Sequence, residues 1–512
     1  MNKRKKEELD NSLKLLAKAS FVLFIGIFLS KLFTYIYRII IARHFGPEVY
    51  GLFSLALMTV GIIVIFAKLG LPEGNLRYVS FYRGKKQKNK IRYLFKYSLY
   101  LLALSSILFG IALFFLSDFI SISIFHNPNL IIFLKIFSIT IPLSVFLSLF
   151  VSVIKAYEKI AWFSFIYNIL QNFVKLAVLI ILIVLGFKTN SITLSYVLGV
   201  ASATLVAFFV CKYILHLFGK CKLNKKTKSK IFKEMFSYSW PLLFFGLVYL
   251  LFYWTDSFMI GFLKTTKDVG IYTVAVNISS LLVIIYPLFT ELFFPLITKE
   301  YSKNNLKLIK QLSQQIGKWI FALTLPILIL IFLFPGAFIN ILFGNQYILA
   351  ENAVRYLSIG VFFTAIFIVS ENILYMIGKS RLIFLNIIII TILNVILNFI
   401  LITRYGIDGA AIATMISLIF LNLLFLFQAR HYTSIVPLRR ETIRIFIVSL
   451  ISAALLLIIK TQFKIINLFN LILLSVFFIL SYFLLIFITS GFDRNDLMIL
   501  TAIRKKLGFY KK

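Results

Sequence analysis

Phe45-Gly46-Pro47-Glu48-Val49-Tyr50-Gly51 joins an aromatic-rich helix to an apolar one, and Lys267-Asp268-Val269-Gly270-Ile271-Tyr272 repeats that junction about 220 residues later. Two further echoes keep the same spacing. Lys159 and Lys379 each sit in a very short polar turn between apolar runs, and Leu185-Gly186-Phe187 answers Tyr405-Gly406-Ile407 where one apolar run ends and the next begins. A six-helix unit present in two copies accounts for most of the chain. Two such lobes are the usual architecture of a membrane transporter.

Composition places those helices in lipid. Hydrophobic residues make up 61% of the 512 residues, 57 of them Phe, against 14% charged, and the mean hydropathy is +0.97. Such a chain has too little polar surface to coat a soluble globule. Its apolar runs have the roughly 20-residue length needed to cross about 30 Å of hydrocarbon. They fall at 21–41, 52–69, 93–116, 131–154, 163–185 and 192–213 in the first copy, and at 240–262, 271–297, 316–334, 354–376, 382–402 and 410–427 in the second. Two more, 443–459 and 465–488, have no counterpart. The expectation is an all-α polytopic membrane protein of about 14 transmembrane helices, two six-helix lobes plus two extra C-terminal helices. A β-barrel would need alternating segments of about ten residues, which these runs are not.

The domain reading follows the spans: a basic tail over 1–18, an N-terminal lobe over 19–218, a basic linker over 219–236, a C-terminal lobe over 237–435, extra spans over 436–490 and a basic tail over 491–512. The net charge of +36 is unevenly shared, with about 37 Lys and Arg on one face of this topology against about 7 on the other. The basic face is therefore cytoplasmic, and an even number of spans puts both termini there. The charge reports topology and attraction to anionic lipid headgroups, and no recognition motif accompanies it that would indicate nucleic acid. The first apolar run is too long for a signal peptide and carries Lys31 and Arg38, so it is read as a retained span.

Sites for catalysis, metals or cofactors are not legible. Cys211 and Cys221 flank a cytoplasmic span end, where thiols stay reduced. His44, His126, His216 and His431 are dispersed, and there is no GxxxxGK[ST], HExxH or GxSxG pattern. External loops are too short to house an outward-facing catalytic domain. The chain is read as a transporter without enzymatic activity or cofactor.

An ionisable side chain inside the membrane costs several kcal/mol unless it faces water or a partner. Lys31, Arg38 and Lys175 are such residues in the first lobe, with Asn168, Gln171 and Asn172 beside Lys175. The second lobe carries Asp256, Glu291 and Glu371 instead. One reading lines a hydrated cavity with the three cations, suited to a phosphate or pyrophosphate. The other pairs cations with acids, for example Arg38 with Asp256, or makes the acids coupling sites for a cation. Lys68, Lys135, Lys155 and Lys318, close to span ends, are read as interfacial anchors. Pro142, Pro241, Pro287, Pro295 and Pro326 mark kinks, and Asn386, Asn394 and Asn398 suit interhelical hydrogen bonds.

The stretch TYIYRIIIARHFGPEVYGLFSLAL, followed by KLGLPEGNLRY, resembles the amino-terminal signature of the polysaccharide transporter family of oligosaccharide flippases, within the multidrug/oligosaccharidyl-lipid/polysaccharide exporter superfamily. SYSWPLLFFGLVYLLFYWTDSFMIGFLKTTKDVGIYTVAV, FFPLITKEY and GKSRLIFLNIIIITILNVILNFILITRYGIDGAAIATMIS are similar to its later patterns. The resemblance covers most of residues 15 to 435. It implies two bundles around a central cavity, alternating access, and a lipid-linked oligosaccharide on a polyprenyl phosphate or pyrophosphate as cargo. It also implies cavity cations at the positions of Lys31 and Arg38. Membrane lipids, glycan-assembly enzymes and a monomeric state complete the expected setting. A drug or cation antiporter of the same superfamily is the runner-up, and an integral-membrane glycosyltransferase or polymerase the third reading.

Overall fold

The computed structural model describes residues 3–215, 223–462 and 467–489, and these are helical with no strand among them. The helices are α1 (Lys3–Lys68), α2 (Leu71–Gly84), α3 (Lys88–Phe119), α4 (Leu130–Ser138), α5 (Thr140–Ala156), α6 (Ile160–Phe163), α7 (Gln171–Val184), α8 (Asn190–Leu215) and α9 (Lys225–Leu263). They continue as α10 (Thr266–Ser279), α11 (Tyr286–Tyr301), α12 (Leu306–Leu333), α13 (Pro335–Leu342), α14 (Glu351–Met376), α15 (Ser380–Thr433), α16 (Arg440–Lys460) and α17 (Leu468–Ile488). Cys221, His216 and the tail over 491–512 lie outside the described residues, as do the side chains of the amino-terminal segment and of Glu291.

Eleven helices are long and apolar enough to cross a membrane, or twelve when the bent pair α4 and α5 is taken as one span. That bend is 41°. Pro142 explains it, because it has no N–H to offer the Ser138 carbonyl one turn back. Two helices are too long for one crossing: at 1.5 Å per residue, a straight α15 would run about 80 Å. Each is broken at a glycine with positive φ, Gly46 (φ 81°) in α1 and Gly406 (φ 59°) in α15.

The described backbone divides by internal packing into two compact units, Met1–Thr273 and Val274–Lys512. By this division α9 belongs with the first unit. The repeat is visible in the backbone itself. Lys86 and Asn304, His126 and Gly344, Glu158 and Gly378, and Gly186 and Gly406 all have positive φ, and each pair is about 220 residues apart. A left-handed residue ends a helix by turning the chain out of its axis, so the two copies turn at matching places.

In the first unit, α9 packs antiparallel along the second half of α1 and along α2. Glycines on both sides permit the approach. A Cβ on Gly51 would collide with the Thr266 carbonyl oxygen, and one on its repeat counterpart Gly270 would collide with that of Pro47. Gly70 and Gly74 clear Ser239 in the same way, and Gly61 lies under the ring of Trp254. Small residues let backbones approach where lipid provides no hydrophobic drive for helix association.

The second unit is held differently. α14 packs extensively on α15, and polar bonds tie α15 to α14 and the two halves of α15, on either side of Gly406, to each other. Asn386 and Gln428 donate to each other at 2.7 and 3.1 Å, Asn394 donates to Thr414 at 3.1 Å, and Asn422 donates to Thr364 at 3.0 Å. The extra helices α16 and α17 bury Leu456, Leu474 and Phe478 against Leu330 and Phe334 of the α12 end. The Tyr482 hydroxyl donates to the Ala322 carbonyl at 2.8 Å.

Candidate functional site: a cationic cavity in the first unit

The first unit holds an open-sided cavity of about 350 Å³, at the low end of small-molecule pockets. Its wall is contributed by both halves of α1, by α5, by the fifth span, by α8 and by α9. The fifth span is not a plain α-helix here. Residues Ser164–Leu170 form a π-helical turn between α6 and α7, and such one-residue insertions are frequent at functional sites. The turn re-aims the face that follows, and Tyr167, Gln171, Asn172 and Lys175 all reach the cavity.

Three cations line it: Arg38 from the first half of α1, Lys68 from the end of its second half, and Lys175 from α7. No Asp or Glu is among the lining residues. Lys175 is 8% exposed. Its Nζ lies 4.1 Å from the centroid of the Tyr196 ring, and its stem crosses Gly199, where a Cβ would collide with Cγ. A cation over an aromatic face keeps part of its stabilisation without a counter-ion. Asn172 Nδ2 donates to Ser30 Oγ at 2.9 Å and to the Asn168 carbonyl at 3.0 Å. The Tyr37 hydroxyl shares a hydrogen bond with Ser195 Oγ at 3.1 Å and donates to the Ile192 carbonyl at 3.3 Å.

Arg38 and Lys175 therefore line one cavity. Lys31 is exposed on α1 and is absent from the lining. Seven residues keep it near the face of Arg38 but about 10 Å away along the axis, beyond the walls of this cavity. Lys68, expected to anchor at the interface, lines the cavity instead. Only the fold of α1 back along itself brings a residue from the end of the second span beside the first. Lys318 is not an interfacial anchor either, being 2% exposed in the second unit. Lys135 does sit at the surface, 3.1 Å from Asp118.

The acids are elsewhere. Asp256 is buried on α9 and accepts a hydrogen bond from the Tyr272 hydroxyl, outside the cavity lining. Glu371 is half-buried on α14 in the second unit. Glu291 falls on α11 with its side chain outside the described residues. Among the described residues, no group of three or more His, Cys, Asp or Glu converges as a metal site would.

An acid-free pocket with three cations, hydroxyls from Thr34, Ser144 and Ser148, and aromatic walls concentrates positive potential in a low-dielectric surround. It suits a compact anion with attached apolar or sugar surface. It repels organic cations.

Comparison with known proteins identifies the family. Residues 16–301 match the family model described as polysaccharide biosynthesis protein, and residues 241–400 match MatE. A putative O-antigen transporter of Shigella flexneri is 24% identical over 389 residues, 74% of this chain and 89% of that protein. Lipid II flippase MurJ of Bacillus subtilis is 21% identical over 444 residues, 79% of this chain and 80% of its own length. Among solved structures, the inward closed conformation of lipid II flippase MurJ is similar with a TM-score of 0.75 at 17% identity, covering 93% of this chain and 100% of that one, a likeness of fold. The all-helical, multi-pass membrane chain with this cationic cavity belongs to the polysaccharide biosynthesis protein family, within the multidrug/oligosaccharidyl-lipid/polysaccharide exporter superfamily.

Proposed function

We propose that the protein flips a lipid-linked oligosaccharide, carried on a polyprenyl phosphate or pyrophosphate, from the cytoplasmic to the external leaflet by alternating access. The observation that carries this reading is the acid-free cavity with Arg38, Lys68 and Lys175 on its wall. A phosphate with its sugars cannot enter hydrocarbon, whereas the polyprenyl tail already belongs there. The cations compensate the phosphate charge while the tail stays in lipid. Lys31, exposed on the same helix, extends the positive track toward the cytoplasmic side. In this reading α1 and α15 each count as two spans, which gives fourteen with both termini in the cytoplasm, and the chain works as a monomer alongside glycan-assembly enzymes.

The test is transport of polyprenyl-linked sugar by the purified protein in liposomes. Movement that Arg38→Ala abolishes, with the variant still folded, supports the reading. Full transport in Arg38→Ala and Lys175→Ala removes it. A drug or cation antiporter is the second reading, favoured by the MatE match over residues 241–400 and by Asp256 and Glu371, which would then couple cation movement. Efflux of ethidium driven by a proton or sodium gradient, insensitive to Arg38→Ala, is its signature.

A further inference from the structure

The chain has four tryptophans, and three of them are packed on other rings. Trp162 meets Phe165, Trp240 meets Phe236 and Phe244, and Trp319 meets Phe289, with centroids 5.0 to 6.4 Å apart. Trp254 differs. It lines the cavity, and among the described residues its ring has no aromatic or cationic partner and its indole N–H has no hydrogen-bond acceptor. That N–H is not one of the buried side-chain atoms left without a partner, so it is accessible rather than sealed in the protein. Trp254 is instead held by its edge: its six-membered ring lies over Gly61, where a Cβ would come within 2.5 Å of Cζ3 and 2.6 Å of Cη2. Only glycine at 61 lets the ring sit there.

Resting on the reading above, we propose that Trp254 is the sugar-recognition residue of this cavity, its indole taking the sugar ring bonded directly to the phosphate while Arg38, Lys68 and Lys175 hold the phosphate. A pyranose ring presents a face of weakly positive C–H bonds, which complements the negative π-face of an aromatic ring, and its hydroxyl oxygens accept from the free N–H. The cavity is small enough to hold only the phosphate end of the cargo and its first sugar. The remaining sugars stay outside it, so discrimination by this pocket acts on the first sugar alone.

The experiment measures binding of three probes to the full chain in lipid nanodiscs: polyprenyl diphosphate without sugar, and the same lipid carrying one N-acetylglucosamine or one galactose. At least one sugar-bearing probe is expected to bind about tenfold more tightly than the sugarless one, a difference of about 1.4 kcal/mol. Trp254→Ala erases that preference and leaves the sugarless probe within about twofold of its original affinity, while Trp254→Phe retains part of it. Arg38→Ala weakens all three probes alike. In a background of Trp162→Phe, Trp240→Phe and Trp319→Phe, the emission of Trp254 shifts with the sugar-bearing probe and not with the sugarless one. The proposal is overturned if no sugar-bearing probe binds more tightly than the sugarless lipid, or if Trp254→Ala lowers affinity for all probes equally or for none. Loss of the sugar preference alone leaves the cationic reading standing, whereas sugarless binding that is absent, or indifferent to Arg38→Ala, removes both.

Discussion

In the first unit, Gln171, Asn172 and Lys175 of the fifth span line a cavity. In the second unit, Asn386, Asn394 and Asn398 of the eleventh span, its counterpart in the repeat, bond to Gln428, Thr414 and one another. Duplication supplied the same helical frame twice, and the polar residues on it serve different ends. Where a lysine stands among the amides and a π-helical turn precedes them, Gln171, Asn172 and Lys175 front the cavity. Where amides match one another across adjacent helices, they are consumed in holding the unit together. The polar face of the fifth span fronts a cavity, whereas that of the eleventh is bonded within α15.

That contrast breaks most decisively at the charges. Arg38→Ala combined with Lys175→Ala should lower flipping of a polyprenyl-linked sugar by two orders of magnitude or more, at about 1.5 to 3 kcal/mol for each lost charge-assisted contact. The thermal midpoint in detergent should hardly move. Gly51→Val should do the reverse, destabilising the first unit by about 1 to 3 kcal/mol because its side chain collides with the Thr266 backbone. Thermal unfolding in detergent reads that loss.

Smaller effects sharpen the picture in the second unit. Asn386→Leu leaves the half-buried Gln428 amide without its partner and should cost about 1 to 2 kcal/mol of stability, most of it recovered by adding Gln428→Leu. Transport by the double variant should be near that of the parent protein. A loss of transport comparable to that of the cation variants would place cargo at the amide seam and dissolve the division of labour. The smallest effect is expected at the surface, where Arg83 meets Glu158 at 2.7 Å with the acid 69% exposed. Glu158→Gln should change stability by no more than about 1 kcal/mol.

Arg38, Lys175 and Lys31 were all legible as charges within apolar runs, yet only the first two line the cavity, because a run's composition does not say which helix face meets the open space. The paired amides were readable as well, since buried amides in a span seek one another. Lys68 and Trp254 were not. Both look ordinary in the sequence, a lysine near a span end and a tryptophan among aromatics, and nothing local marks them. Gly61 and Gly199 gave no signal either, although one seats the indole and the other admits the stem of Lys175.

By itself the sequence determined the quantities that depend on one helix at a time: the lengths of the apolar runs, the repeat, and which of those runs carry an ionisable side chain. These follow from hydrocarbon thickness, helical rise and the cost of an unsolvated charge. Tertiary structure decided the quantities that depend on two helices at once. It set Lys68 on the wall of the same cavity as Arg38, left Lys31 out of it, gave α9 to the first unit and laid Trp254 across Gly61. Helix faces are fixed by local periodicity, but which face meets which is settled by close packing between backbones, and a single chain of letters carries that only through the joint fit of many distant residues.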